Sequence, residues 1–194
     1  MRRFLLPPAL LLVLAACPTE EDLSPIGEVA DFTLTDQAGR AFGRRDMAGK
    51  VWVVDFFFTR CPSICPHLTA AMKGLAERLG DPADLGRLSI TVDMEHDTPE
   101  VLAAYAERMG ATHPNWRFLT GPRSEINRLA LESFKLAFGE EMDAEGNILH
   151  SSRFVLVDRR GRVRGYYDGL DEAVRPRLDR AVRRLLAEPA ATSE

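Results

Sequence analysis

Cysteine is scarce: the 194-residue chain carries three. A fold stapled by a network of disulfides is thereby excluded. Positive charge is not in excess either. Lys and Arg number 25 against 29 Asp and Glu, and without Arg2 and Arg3 the basic count is 23, a balance of −6 beyond residue 16. Nothing supplies the broad positive field that phosphate neutralisation needs, so general nucleic-acid binding is excluded. Long hydrophobic runs are missing as well. The one candidate, residues 4–16, falls short of the roughly 20 apolar residues that cross a bilayer. No internal repeat or low-complexity segment occurs, and the length suits one domain rather than two.

What is present begins with an address. Arg2 and Arg3 followed by the apolar run form the charged and hydrophobic parts of an export signal. Leu14-Ala15-Ala16-Cys17 resembles the lipobox of bacterial lipoproteins, in which the cysteine becomes the lipid-modified N-terminus. An uncleaved anchor and ordinary signal cleavage nearby are the alternatives. The expected location is extracytoplasmic, anchored to the bacterial cell membrane as a lipoprotein. Residues 1–16 are then signal peptide, 17–27 the lipidated cysteine with a flexible two-proline tether, 28–188 the folded domain and 189–194 a disordered tail.

Within the domain, Phe32-Thr33-Leu34 and Ala41-Phe42 flank the turn residues Asp36-Gln37-Ala38-Gly39, predicting a small N-terminal hairpin. Residues 51–58 (Val-Trp-Val-Val-Asp-Phe-Phe-Phe) form a nearly unbroken apolar run, the mark of a strand covered on both faces. Leu68, Met72, Leu75 and Leu79 recur at helical spacing, with Gly80-Asp81-Pro82 as the stop. A strand at 88–92, a helix from Thr98-Pro99 to Met109, a strand at 116–119 and a helix from Pro122 to about Leu136 follow. Strands at 154–157 and 163–167 and a helix through Val174, Leu178, Val182 and Leu185 close the chain. This is an α/β pattern of the thioredoxin-like kind with an N-terminal hairpin and an additional C-terminal hairpin region. Arg175, Arg177, Arg180, Arg183 and Arg184 in the last helix read first as a solvated face, and otherwise as a surface for a partner or an anionic membrane.

With Cys17 assigned to lipid, Cys61 and Cys65 are the remaining thiols, four residues apart. Proline follows each, which predicts that neither lies inside the helix, with Pro66 at its first position and Cys65 at its threshold. There the helix dipole favours a thiolate at Cys65. The spacing permits a structural disulfide, a redox-active pair or a grip on one metal ion, and does not choose among them. The third-ligand candidates are His67, His96, His113 and His150. His67 reads as an exposed first-turn residue, and His96 and His113 as loop residues facing solvent. His150 stands at the mouth of an apolar strand pair, where a lone histidine is more often a satisfied core residue.

Phe58-Thr59-Arg60-Cys61-Pro62-Ser63-Ile64-Cys65-Pro66, then Thr91-Val92-Asp93-Met94-Glu95-His96-Asp97-Thr98-Pro99, then His150-Ser151 leading into a strand that ends at Asp158-Arg159-Arg160-Gly161, resemble the Sco/SenC family. The similarity runs from about Gly27 to Leu186. It implies a thioredoxin fold, copper as Cu(I) or Cu(II) held by Cys61, Cys65 and His150, and a role in assembling the copper A centre of cytochrome c oxidase. Implied partners are the copper A subunit of the oxidase, a copper donor protein and a thiol reductant. Ser63 stands where many members have Asp, Met94 where Pro is common, Leu149 where mitochondrial members often have Asp, and Phe154 where Tyr is frequent. None is an implied ligand, although the missing acids alter the charge around the site. Met94 reads as a packing residue.

Two thiolates and an imidazole make a soft, low-coordinate site suited to Cu(I) with one face open for exchange, which fits a carrier better than a store. The main rival is a thiol–disulfide oxidoreductase using Cys61 and Cys65 on the cysteines of the copper A site. Thioredoxin-like reductases place a cis-proline before the strand facing the dithiol, yet no proline occurs here between Pro122 and Pro176. A peroxiredoxin-like peroxidase needs Thr-x-x-Cys, whereas Thr59 is two residues before Cys61. A copper sensor signalling to a membrane partner is the remaining class.

Overall fold

A computed structural model of the chain describes residues 21–139 and 151–189. The expected export signal at residues 1–16, Cys17, His150 and the tail beyond Pro189 lie outside the described residues. The run at 51–58 becomes strand β4 (Val51–Phe57), buried along its whole length. It pairs in parallel with β5 (Leu85–Thr91) and antiparallel with β7 (Arg153–Val157). β5 in turn lies parallel to β6 (Trp116–Thr120). Parallel neighbours need crossover connections, here α2 (Ile64–Leu79) and α3 (Pro99–Arg108). Thr98 caps α3 by accepting the Val101 N–H, as its sequence announced. The two helices share one face of the sheet, where Thr69 and Tyr105 join through their hydroxyls at 2.9 Å. Leu68, Met72 and Leu75 of α2 are buried beneath them, each contributing about 1.5–3 kcal/mol.

β8 (Arg162–Asp168) pairs with β7, and α5 (Arg175–Ala187) returns beside α2. This βαβαβ unit with a closing hairpin and helix is the thioredoxin-like arrangement the pattern predicted. The N-terminal hairpin, β2 (Thr33–Asp36) with β3 (Ala41–Gly43), adds to the free side of β6. β1 (Gly27–Glu28) covers β8, and the eight-strand order is β1-β8-β7-β4-β5-β6-β2-β3. A short α1 (Arg44–Met47) links β3 to β4.

Three boundaries differ from expectation. β5 starts three residues early because Gly86 leaves room for Trp52, whose ring an added Cβ would overlap. Its buried Arg87 pairs with Asp81 at 2.9 Å. The helix expected from Pro122 to about Leu136 is α4 (Arg123–Arg128) widening into a π-helical turn, Leu129–Ser133. The wider turn buries Leu129, Ala130 and Phe134 together, while Ser133 Oγ accepts the Ala30 N–H at 3.0 Å. Residues 21–27, read as tether, lie against the domain instead. Leu23 is 3% exposed, and Arg164 Nε donates to its carbonyl.

Candidate metal centre

β4 delivers the chain to the end of the sheet, where the Cys61 N–H closes a turn on the Phe58 carbonyl at 3.3 Å. α2 starts at Ile64, so Cys65 is its second residue and Pro66 its third. The expected threshold position of Cys65 is therefore corrected: it lies inside the first turn. Proline fits there because the first N–H groups of a helix have no intrahelical partner to lose. Cys61 is 6% and Cys65 0% exposed, and neither is in a disulfide.

The Cys65 N–H points at Cys61 Sγ across 3.5 Å, and Ser63 Oγ lies 3.8 Å from the same sulfur. Burial acts to raise the Cys61 pKa, but these hydrogen bonds from Cys65 and Ser63 outweigh it and hold the thiol below its ordinary value. Cys65 moves the other way, pushed far up by burial and by the neighbouring Cys61 charge. The expectation of a thiolate at Cys65 is thus reversed. The helix end acts on Cys61, because the N–H of Cys65 is aimed at that sulfur and Cys65 Sγ is folded into the core.

The second motif grips the loop from behind. Asp97 accepts the Thr59 N–H at 3.0 Å and the Thr59 hydroxyl at 2.5 Å, and also takes the Thr91 hydroxyl at 2.5 Å. Arg60 reaches Asp93 through Nε and Nη2 at 3.0 and 2.7 Å. Asp93, His96 and Asp97 converge closely enough to hold an ion. Their contacts show a different use, since His96 Nδ1 lies 3.0 Å from Asp97 and each acid is engaged by the loop. His67 is exposed in the first turn, as expected. His113 bonds Asp81 at 2.8 Å, at the far end of α2, and so lies away from the cysteines. Met94 packs against the core.

Sequence reading missed Asp55. It counts as one letter of an apolar run, yet its side chain points to the α2 side of β4 and is 1% exposed. Its Oδ1 has no hydrogen-bond partner among the described residues. Burial, opposed by a bond to Ser89, pushes its pKa up to about 7, and its charge in turn raises that of Cys65. A lone acid inside such a run was the available signal.

Two neighbouring soft sulfurs, one already drawn toward the thiolate, fit a soft cation such as Cu(I). β7 begins, at Arg153, on the end of the sheet where β4 finishes. Gly169, just past β8, packs so tightly that an added Cβ would meet Leu68 of α2 at 2.5 Å and the Phe154 ring at 2.8 Å. The β7–β8 end is thereby fastened beside the cysteine turn.

A family model described as SCO1/SenC matches residues 21–186. The SCO1 protein homolog of Bacillus subtilis (strain 168) is 37% identical over 165 residues, covering 84% of this chain and 85% of that protein. Among solved structures, a SCO1/SenC family lipoprotein from Bacillus anthracis str. Ames superposes with a TM-score of 0.77 at 31% identity, covering 84% of this chain and 98% of that one. BsSco, described with a disulfide switch as a member of the Sco family of cytochrome c oxidase assembly proteins, gives 0.76 at 34%, covering 87% and 99%. Bradyrhizobium japonicum ScoI with copper bound gives 0.67 at 25%, covering 82% and 99%. With the sulfur turn, its acidic clamp and the thioredoxin-like sheet all in place, the chain belongs to the SCO1/SenC family.

Proposed function

We propose that this protein is a copper carrier for cytochrome c oxidase assembly, holding one copper ion through Cys61, Cys65 and His150 and delivering it to the copper A centre. The observation that carries the reading is the pair of reduced cysteines at the start of α2, one just before the helix and one in its first turn, with the Cys65 N–H stabilising charge on Cys61. The copper-bound ScoI relative supports the cargo. His150 precedes Arg153, the first residue of β7, by three positions in the sequence, and β7 begins at the cysteine end of the sheet. The carrier is anchored through lipid on Cys17, a reading supported by Leu14-Ala15-Ala16-Cys17 and by the B. anthracis lipoprotein. Joining Cys61 to Cys65 releases two protons and two electrons to a thiol–disulfide partner and consumes both sulfur ligands, so loading is gated by redox state. The disulfide switch described for BsSco supports that step.

One observation favours a second reading, a thiol–disulfide reductase acting on the copper A cysteines. Cys61 is the more accessible thiol with the lower pKa and Cys65 the buried partner, the pairing of an attacking and a resolving cysteine. His150→Ala separates the two. A carrier loses its third ligand, and the variant reacts normally with a model disulfide yet fails to restore copper A assembly in a strain lacking the protein. Restoration to the wild-type level transfers the function to the reductase.

A further inference from the structure

α5 is the most basic element of an acidic protein, with five arginines and one aspartate in thirteen residues. Its inner side, Leu178, Ala181, Val182 and Leu185, is buried. Asp179, its only acid, is turned to α2 and occupied by Arg78 at 2.8 Å. Helical spacing places Arg177, Arg180, Arg183 and Arg184 together on the outward side, all of them exposed. Arg180 has no ion-pair partner among the described residues.

The N-terminal segment is fastened to this same helix. Glu21 pairs with Arg177 at 2.8 Å, and its carbonyl accepts Arg184 Nη1 at 2.6 Å. The Arg177 guanidinium also lies over the Tyr167 ring, 5.9 Å from its centroid. Leu23 is buried and its carbonyl accepts Arg164 Nε, so the segment packs on the domain. Cys17 and Glu21 are four positions apart, a reach of at most about 14 Å. A lipid on Cys17 therefore holds the α5 face within about that distance of the headgroups, nearly the range over which a surface potential acts.

We infer that the outward arginines of α5 form a docking surface for anionic phospholipid headgroups, which lays the domain on the bilayer along this helix instead of leaving it free on its anchor. The inference rests on the lipoprotein reading for its geometry. The occupant is argued from the short reach of the chain to Cys17 and from charge complementarity. Tyr167, beside Arg177, stands opposite Phe154 in the β7–β8 register, toward the end of the sheet where β4 gives way to the cysteine turn. Docking on α5 thus keeps that turn near the membrane surface and open along it.

The test uses the chain from residue 17 onward carrying Cys17→Ser, so that no lipid contributes, with vesicles of phosphatidylcholine alone or with 30 mol% phosphatidylglycerol. Cosedimentation is expected with the anionic vesicles only, weakening as salt is raised. Arg180→Gln with Arg183→Gln is expected to weaken it about thirtyfold, about fivefold per arginine. Arg108→Gln with Arg123→Gln, on α3 and α4, should leave it unchanged, and circular dichroism should show all variants folded. Equal binding to both vesicle types, no binding to either, or indifference to Arg180 and Arg183 overturns the inference, and absence of binding hands the face to an acidic protein partner. The lipoprotein reading is scored separately in cells: Cys17→Ser should release the protein from the membrane fraction or stall its processing, and full retention there of mature, processed Cys17→Ser protein that also carries Arg180→Gln and Arg183→Gln overturns it.

Discussion

Two buried acids, Asp55 beneath the cysteines and Asp158 at the opposite end of the sheet, differ in almost everything but burial. Asp158 accepts the N–H groups of Arg160 and Arg162 at 2.9 and 3.0 Å and the guanidinium groups of Arg162 and Arg164 at 2.8 Å each. Burial works to raise its pKa, but those bonds outweigh it and hold the carboxylate ionised. Asp55 has an oxygen with no partner among the described residues and a pKa pushed up to about 7. One end of the sheet is electrostatically finished and serves stability. The other is left incomplete, in the place where sulfur chemistry needs to respond to a ligand.

The largest effect that sharpens this contrast is at the sulfurs. Cys61→Ser and Cys65→Ser are each expected to reduce Cu(I) from about one per chain to near zero, measured as metal content of the reduced protein, with the fold retained. Asp158→Ala should do the reverse. It leaves Arg164 buried without its full set of partners and should cost about 3–5 kcal/mol in urea unfolding, with copper stoichiometry unchanged while the protein stays folded. Equal loss of copper and stability in both sets of variants would break the division of the molecule into two ends.

Asp97→Asn tests whether the clamp belongs to the site or only to the fold. Losing charge-assisted bonds to Thr59 and Thr91 should cost about 3 kcal/mol. Because the turn before Cys61 is then unheld, copper affinity should fall at least tenfold. Unchanged affinity in a destabilised variant would assign the clamp to folding alone.

The smallest expected effect concerns pH. The folded pKa of Asp55, about 7, lies above its unfolded value of 3.8, so the native state binds this proton more tightly. The resulting stability is fully present below pH 3.8 and is lost as pH rises through 7. Between pH 5 and 8 wild type should therefore lose about 2–3 kcal/mol relative to Asp55→Asn. Urea midpoints of both proteins at the two pH values measure it, and parallel curves would remove Asp55 from the comparison.

Much of the scaffold was legible because its signals are local. The β-branched and aromatic run 51–58, the Asp36–Gly39 turn and the Thr98-Pro99 cap each state their structure within a few residues, and each appears in the fold. The Cys61 and Cys65 pair was legible by type and spacing, whereas the protonation order was not. That order depends on which sulfur the folded first turn buries and which one its N–H meets. The clamp was visible as a motif without a mechanism, since Thr59 and Asp97 are 38 residues apart and meet only when β5 lies beside β4. Asp55 was hidden for a related reason. A strand's alternation tells which side a residue faces, but not whether a partner waits there.

The central position of β4 also orders events while the chain folds. Its pairing with β5 brings Val54 to Leu88, whereas its pairing with β7 joins Val54 to Val155, about a hundred residues on. Closing the larger loop costs about 3 kcal/mol more in chain entropy than bringing together groups only four residues apart. The two cysteines therefore meet early, and the strand that His150 precedes arrives late. On the reading proposed above, in which the chain is exported and His150 completes the site, a new molecule passes through a stage in which the dithiol exists without its third ligand. In an oxidising compartment that stage favours the disulfide, and maturation is expected to begin with a reduction before any copper is received.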